Sequence, residues 1–247
     1  IIIMDCASAE MTKYASNTML AARITLMNEI ALVCQKAGAD IELVRQGVGT
    51  DSRIGMSFLF PGIGYGGSCF PKDVRALIHT AKKLGVDTEI AKAVEKVNDL
   101  QKKVLIERIL EHYGSAKSIK GKVFSLWGLA FKPRTDDVRE APSLIICAEL
   151  LKMGASIQAF DPEAIETFKQ AFGNKAGITY FNNNYESLMA ADALIICTEW
   201  SEFRRPNFEK IKGLMRGNVI FDGRNLYALD QMPKSGFKYI SIGRPSV

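Results

Sequence analysis

The sequence predicts an α/β protein in which an all-helical half is followed by a doubly wound parallel sheet. Two observations carry this. No Gly or Pro interrupts residues 8–37, and apolar residues recur there at helical spacing: Met11, Tyr14, Ala15, Leu20, Ile24, Met27, Ile30 and Ala31. Beyond Lys122 the period changes, and short β-rich runs alternate with helical stretches, the pattern of a parallel sheet. The segment 114–122, rich in Ser, Gly and Lys, is the natural boundary. It divides the chain into a helical domain at 1–115 and a sheet domain at 116–247.

In chain order, a long helix over 8–37 has Ser8 as a cap and Gly38 as its stop. Asp40 caps a short helix through Gln46, and 47–50 reads as a loop. A Gly-rich loop then leads to a helix over 71–84 with Pro71 at its first position. A further helix spans 88–113, with room for a kink. In the second half, strands are expected at 123–127, 156–160, 178–181, 193–197, 219–221 and 239–242. Helical stretches at 143–153, 163–172, 185–190 and 208–215 lie between them. Ligands of such sheets bind beyond the carboxyl ends of the strands, here 128–139, 161–162, 198–200 and 222–224.

Composition narrows the function classes. Hydrophobic residues make up 47% and charged residues 24% of the 247, the balance of a folded globular protein. No apolar run approaches the ~18 residues of a membrane span. The net charge of +5 is mild, and no dense Lys/Arg cluster carries interleaved aromatics, which argues against nucleic acid and leaves room for a small anion. The five cysteines (Cys6, Cys34, Cys69, Cys147, Cys197) are scattered without a C-x-x-C pair. That argues against disulfides or a zinc site and for a reducing, cytoplasmic setting. Cys147 and Cys197 lie in apolar runs and read as core. The opening triplet Ile1-Ile2-Ile3, with no Met, reads as the end of a strand in a longer chain.

Chemistry concentrates in 61–73, Pro-Gly-Ile-Gly-Tyr-Gly-Gly-Ser-Cys-Phe-Pro-Lys-Asp. Glycines let backbone approach a ligand closely, and Cys69 then falls at a helix start, where the dipole favours an anionic thiolate. Asp73 lies one turn on, on the same side. A plain turn with a half-buried Cys is the alternative. On the long helix Lys13 and Asn17 share a face, although a lone lysine there also reads as solvated surface. Arg53 is either a loop ion-pair partner or an anion contact. Lys132, Arg134, Arg139 and Arg224 at strand ends suit a phosphate-bearing ligand or a solvated loop. No G-x-G-x-x-G occurs, so a dinucleotide site in this sheet has little support. The two histidines are His79 and His112, and His79 lies far along the helix of Cys69, which disfavours a Cys–His hydrolase.

Five strings resemble the family of nucleotide-sugar dehydrogenases: EMTKYASN at 10–17, GTDSRIG at 49–55, FLFPGIGYGGSCFPKD at 58–73, WGLAFKPRTDDVREAPS at 127–143 and FDGRN at 221–225. They occur in the family's order, and GGSCFPKD resembles its UDP-glucose branch more than its GDP-mannose or UDP-N-acetylhexosamine branches. The resemblance implies an NAD-dependent, four-electron oxidation of the sugar C6 alcohol to a carboxylate. In it Cys69 is the nucleophile that captures the aldehyde and carries the thioester. Lys13 and Asn17 stabilise the oxygen charge, and Asp73 orients them and the hydrolytic water. It implies substrate contacts at Lys13, Asn17, Arg53 (reaching across from a partner subunit), Phe60, Gly62, Tyr65, Gly66, Phe131, Lys132 and Arg224. It implies NAD contacts at Cys69, Phe70, Lys72 and Arg139, no metal, and a homodimer through helix 8–37. The family's dinucleotide-binding Rossmann domain has no counterpart in these residues. The chain alone is therefore expected to turn over little, and a UDP-sugar-binding and dimerisation module is the alternative.

Overall fold

The computed structural model describes residues 1–173 and 175–247. Helix α1 (Cys6–Ala37) begins earlier than expected because Asp5, not Ser8, is its cap. The Asp5 carboxylate accepts Ser8 N–H at 2.9 Å and Ser8 Oγ–H at 2.8 Å, so Ser8 is a donor to the cap. At the other end Gly38 takes the left-handed conformation (φ 74°) and donates to the Cys34 carbonyl. Asp40 caps α2 (Ile41–Gly49), which absorbs most of the stretch read as a loop.

Helix α3 (Phe70–Lys83) starts directly after Cys69. The long helix expected over 88–113 is two, α4 (Glu89–Gln101) and α5 (Val104–Tyr113). Between them Lys103 N–H bonds Leu100 O at 3.0 Å, a tightened turn that redirects the chain. Helices α1, α3 and α4 pack together around Ala21, Tyr65, Val74, Ala91 and Val94. Helix α5 instead lies against the sheet and α6.

The sheet contains β1 (Val123–Trp127), β2 (Ser156–Phe160), β3 (Ile178–Tyr180), β4 (Ala193–Ile196), β5 (Val219–Asp222) and β6 (Lys238–Ser241). Its order is β3-β2-β1-β4-β5-β6, and every pairing is parallel. The doubly wound expectation holds. Helices α6 (Pro142–Lys152), α7 (Ile165–Phe172), α8 (Phe208–Leu214) and the short α9 (Met232–Ser235) complete it. The stretch read as helical at 185–190 is only a 3-10 turn at Glu186–Leu188.

Side chains alternate across the strands as the pleat requires. Phe124 and Leu126 join a core shared with Met27, Ala31 and Cys34 of α1 and with Val104, Leu105, Ile106 and Ile109 of α5. Trp127, Leu194, Ile196 and Ile220 face the other side, against Phe203 and Ile211. One apolar cluster thus runs from the helical half into the sheet. Register pairs Trp127 with both Phe160 and Ile196, so these strand ends form one edge. The order reverses there between β1 and β4, which is where a parallel sheet opens a crevice. No helix among the described residues is long and apolar enough to cross a membrane.

Candidate functional site

The glycine loop is stretched across that crevice and tied on both sides. From the helices, Asn28 Oδ1 accepts Gly62 N–H at 2.8 Å and Gln101 Nε2 donates to Gly62 O at 2.6 Å. Asn98 brackets Tyr65, accepting its N–H at 2.9 Å and donating to its carbonyl at 3.1 Å. From the sheet, Ile63 N–H bonds Gly223 O at 3.1 Å, Arg224 Nη1 bonds Gly64 O at 3.1 Å, and Gly67 N–H bonds Arg139 O at 2.7 Å. Buried backbone polar groups need such partners. Asn28, Asn98 and Gln101 are buried and were not foreseen as loop anchors. Their signal was present: Asn98 and Gln101 continue the inward stripe that starts with Ala91 and Val94.

Two glycines are required by this fit. Gly67 has φ 83°, and a Cβ there would lie 2.7 Å from Cζ of the Phe131 ring. A Cβ on Gly66 would lie 2.5 Å from the Glu140 carbonyl oxygen. Phe131 is thereby laid directly on the loop.

Cys69 is the residue before α3, with an exposed thiol and no side-chain capping bond. Its carbonyl accepts Asp73 N–H at 2.9 Å, and Ser68 Oγ lies 3.8 Å from Sγ. Asp73 is buried, and its Oδ2 accepts Asn17 Nδ2–H at 2.6 Å across the α1–α3 contact. Its Oδ1 lies 3.3 Å from Lys72 Nζ. Lys13 is one helical turn before Asn17 on α1, with an exposed side chain. Asn17, Lys72 and Asp73 therefore meet at the first turn of α3, right after Cys69, and Lys13 stands one turn away on α1.

A cleft of about 400 Å³ opens at Phe70, the residue after Cys69, and Lys13, Asn17, Cys69, Lys72 and Asp73 do not line it. Phe60, Tyr65, Gly66, Phe131, Lys132 and Arg224, all expected at a substrate, line it. So do Phe58, Phe70, Ile24 and Glu199, which had not been singled out as substrate contacts. Phe70 stacks edge-on against Tyr65 at 5.6 Å and lies 5.9 Å from Phe58. Arg224 is held by its Nε–H bond to Cys197 O at 2.8 Å and lies 3.4 Å from Glu199 Oε2. Its Nη2 is buried without a partner among the described residues, a donor available to an anion at that wall. Cleft walls thus offer aromatic faces, two cations and one carboxylate.

Other residues lie elsewhere. Gly62 is buried as an anchor point, with its polar atoms taken by Asn28 and Gln101. Arg53 is exposed and paired with Asp51 at 2.6 Å, away from this cleft. Arg139 is bidentate to Asp137, whose bond holds its guanidinium above the usual range, with Cys69 adding to the shift. Arg134 lines a separate surface hollow with Asp136 and Trp200. Asp161, at a strand end expected to meet ligand, is buried. It spends its carboxylate on the amides of Leu129, Ala130, Glu163 and Ala164 and on Trp200 Nε1. Cys197 is core as expected, its thiol pushed up to about 12 by burial. Cys147 is fully buried and likewise raised.

Comparison with known proteins adds an independent line. Models of the UDP-glucose/GDP-mannose dehydrogenase family match twice: the central domain over residues 7–100 and the UDP binding domain over residues 125–229. The chain is 47% identical to UDP-glucose 6-dehydrogenase of Pseudomonas aeruginosa, over 99% of this chain and 54% of that protein. It is 43% identical to UDP-glucose 6-dehydrogenase TuaD of Bacillus subtilis, over 100% of this chain and 52% of that protein. A solved UDP-glucose dehydrogenase from Pyrobaculum islandicum superposes with a TM-score of 0.86 at 33% identity, covering 99% of this chain and 53% of that one. The chain spans about half the length of the relatives it matches.

Proposed function

Because the chain belongs to the UDP-glucose/GDP-mannose dehydrogenase family, with its central and UDP-binding domains, we propose that it binds UDP-glucose in the cleft and supplies the thiol that captures the oxidised C6. The observation that carries this reading is the Asn17–Asp73 bond of 2.6 Å, which joins α1 to the first turn of α3, right after Cys69. Phe131 offers a face for stacking a base, and Arg224 and Lys132 offer charge to a diphosphate. The relatives named for UDP-glucose favour that sugar over other nucleotide sugars. Gly62 acts by holding the loop, and Arg53 by reaching a neighbouring subunit's cleft.

A nicotinamide dinucleotide, when bound, supplies the hydride acceptor. The chain fits one edge of it: Lys72, three residues after Cys69, and Arg139, which Cys69 influences electrostatically, have exposed cationic side chains. The residue types suit a pyrophosphate, although no glycine-rich dinucleotide turn follows a strand in these 247 residues.

C6–OH would pass its hydride to that dinucleotide and its proton to water and so become the aldehyde; the carbon–sulfur chemistry is the chain's own. Cys69 Sγ then forms a C–S bond to C6 while the carbonyl π pair moves to oxygen. Lys13 and Asn17 meet that oxygen charge with N–H donors, and buried Asp73 fixes the Asn17 amide for the task. The thiohemiacetal alkoxide would pass a second hydride to a second dinucleotide, leaving the thioester. Water adds to it, the C–S bond breaks, and the products are the carboxylate and the free thiol. Five free cysteines suit a reducing cytoplasmic setting.

A homodimer through α1 belongs to the same proposal. Met19, Leu26 and Val33 stand exposed at seven-residue steps, a seam a second helix would cover. The test is calorimetry with UDP-glucose together with iodoacetamide alkylation of Cys69. Binding should slow alkylation, and Cys69→Ser should keep the affinity. If UDP-glucose binds without protecting Cys69, the chain is a binding and dimerisation module; if it does not bind, the reading is wrong.

A further inference from the structure

One charged residue outside the cleft joins its two walls. Glu140 closes the loop between β1 and α6, the loop that carries Phe131, Lys132 and Arg139. Its side chain leaves that loop and enters the helical half. There Oε1 accepts Arg75 Nη1–H at 2.9 Å, on the helix that Cys69 begins. Oε2 accepts Lys102 Nζ–H at 2.9 Å, at the break between α4 and α5. Lys102 is buried to 1% exposure, and its other acidic neighbour, Asp99, is farther at 3.6 Å. A buried ammonium needs such a partner. The stem of Lys102 also lies under the glycine loop, 3.3 Å from where a Cβ on Gly64 would sit.

The backbone tells the same story. Glu140 has φ 55°, an uncommon conformation for a residue with a side chain, and it persists only where surroundings hold it. The residue before it receives the Gly67 N–H bond, and its own carbonyl is the atom that excludes a Cβ from Gly66. Burial works against the charge of Glu140, yet the bonds from Arg75 and Lys102 outweigh it and hold the carboxyl below its ordinary range.

We propose that Glu140 is a positioning residue that clamps the β1–α6 loop onto the cysteine loop through Arg75 and Lys102. By doing so it sets Phe131 and Arg139 against Gly67, two residues before Cys69. The consequence for UDP-glucose rests on the functional reading above; the clamp itself does not.

Amide hydrogen exchange read by NMR tests it on the whole chain. Glu140→Gln should speed exchange of the Gly67 amide by about tenfold or more while the Ile63 amide, bonded to Gly223, stays as it was. UDP-glucose should bind about tenfold more weakly, although Glu140 is not among the residues lining the cleft. In Glu140→Gln with Lys102→Met the stranded ammonium is gone, so the Tm should recover. The Gly67 exchange and the weak binding should not. Overturning results are an unchanged Gly67 amide in both variants, or full recovery of that amide along with Tm in the double variant. Failure of the unaltered chain to bind UDP-glucose would remove the functional reading, and the Gly67 amide would still decide the clamp.

Discussion

At the residue scale, the site depends on side chains whose surroundings leave them one position. Phe131 is fixed because Gly67 has no Cβ to push it away. Truncating it, as Phe131→Ala, removes the aromatic face and should weaken UDP-glucose by about tenfold, near 1.4 kcal/mol, as measured by calorimetry. Gly67→Ala should do the same from the other side. It places a methyl 2.7 Å from the ring at φ 83°, so it should also lower stability by about 1–3 kcal/mol in urea unfolding. Asp161 marks the opposite case, a charged residue whose work is structural. Its carboxylate holds the first residues of the β1–α6 loop through Leu129 and Ala130 and the start of the next segment through Glu163 and Ala164. Asp161→Ala strands buried donors and should cost about 3–5 kcal/mol in the same measurement, with the loop that carries Phe131 loosened.

At the element scale, α1 presents two faces, and the proposed dimer would use the second. Its inward face carries Asn17 to Asp73 and Asn28 to Gly62. The exposed Met19, Leu26 and Val33 form the other face. A two-fold contact uses each side chain twice. Leu26→Glu should therefore turn a dimer into a monomer in sedimentation, with helix content by circular dichroism unchanged. A dimer that survives Leu26→Glu and Met19→Glu together would place the contact elsewhere. Such elements were legible where a local rule governs them. The stop at Gly38, the cap at Asp40 and the alternation of strands and helices all follow from nearest neighbours in sequence. What was hidden depends on distant partners. Asp5 and Ser8 are both good caps, and choosing between them requires knowing where the helix starts. The break after Gln101 follows no Gly or Pro; Lys102 at that break turns inward to Glu140, far along the chain. Asp161 looked like a ligand contact because strand ends usually are, whereas its partners are amides of another loop. Cys69, Asp73, Lys13 and Asn17 could be named from their strings, but only the fold brings Asn17 within 2.6 Å of Asp73.

At the scale of the whole molecule, the boundary written in the sequence and the continuity of the core pull in different directions. The segment 114–122 has the composition of a linker, yet α5, which precedes it, packs on the sheet that follows. Val104, Leu105, Ile106 and Ile109 are buried in the cluster that holds Phe124, Leu126 and Phe221. His112 and Tyr113 also set their rings against Phe221, at 5.6 and 6.3 Å. Fully burying an aliphatic side chain contributes about 1.5–3 kcal/mol, so four of them amount to as much as a small domain's whole net stability of about 5–15 kcal/mol. A piece comprising residues 116–247 would bare the part of that sheet face that α5 covers. A piece comprising residues 103–247 would keep that part covered, losing instead the contacts of Met27, Ala31 and Cys34. The longer piece should unfold in urea in one cooperative step, and the shorter should bind a hydrophobic dye and lose its transition. Equal stability of the two would mean that α5 is docked on the sheet without supporting it. The cleft would then lie between two independent halves. If only the longer piece folds, the helix that ends the helical half is also part of the sheet's core. The walls of the cleft, Gly64 on one side and Arg224 on the other, would then be parts of one cooperative structure, and UDP-glucose at about a hundredfold over its Kd should raise the single transition by about 2.7 kcal/mol.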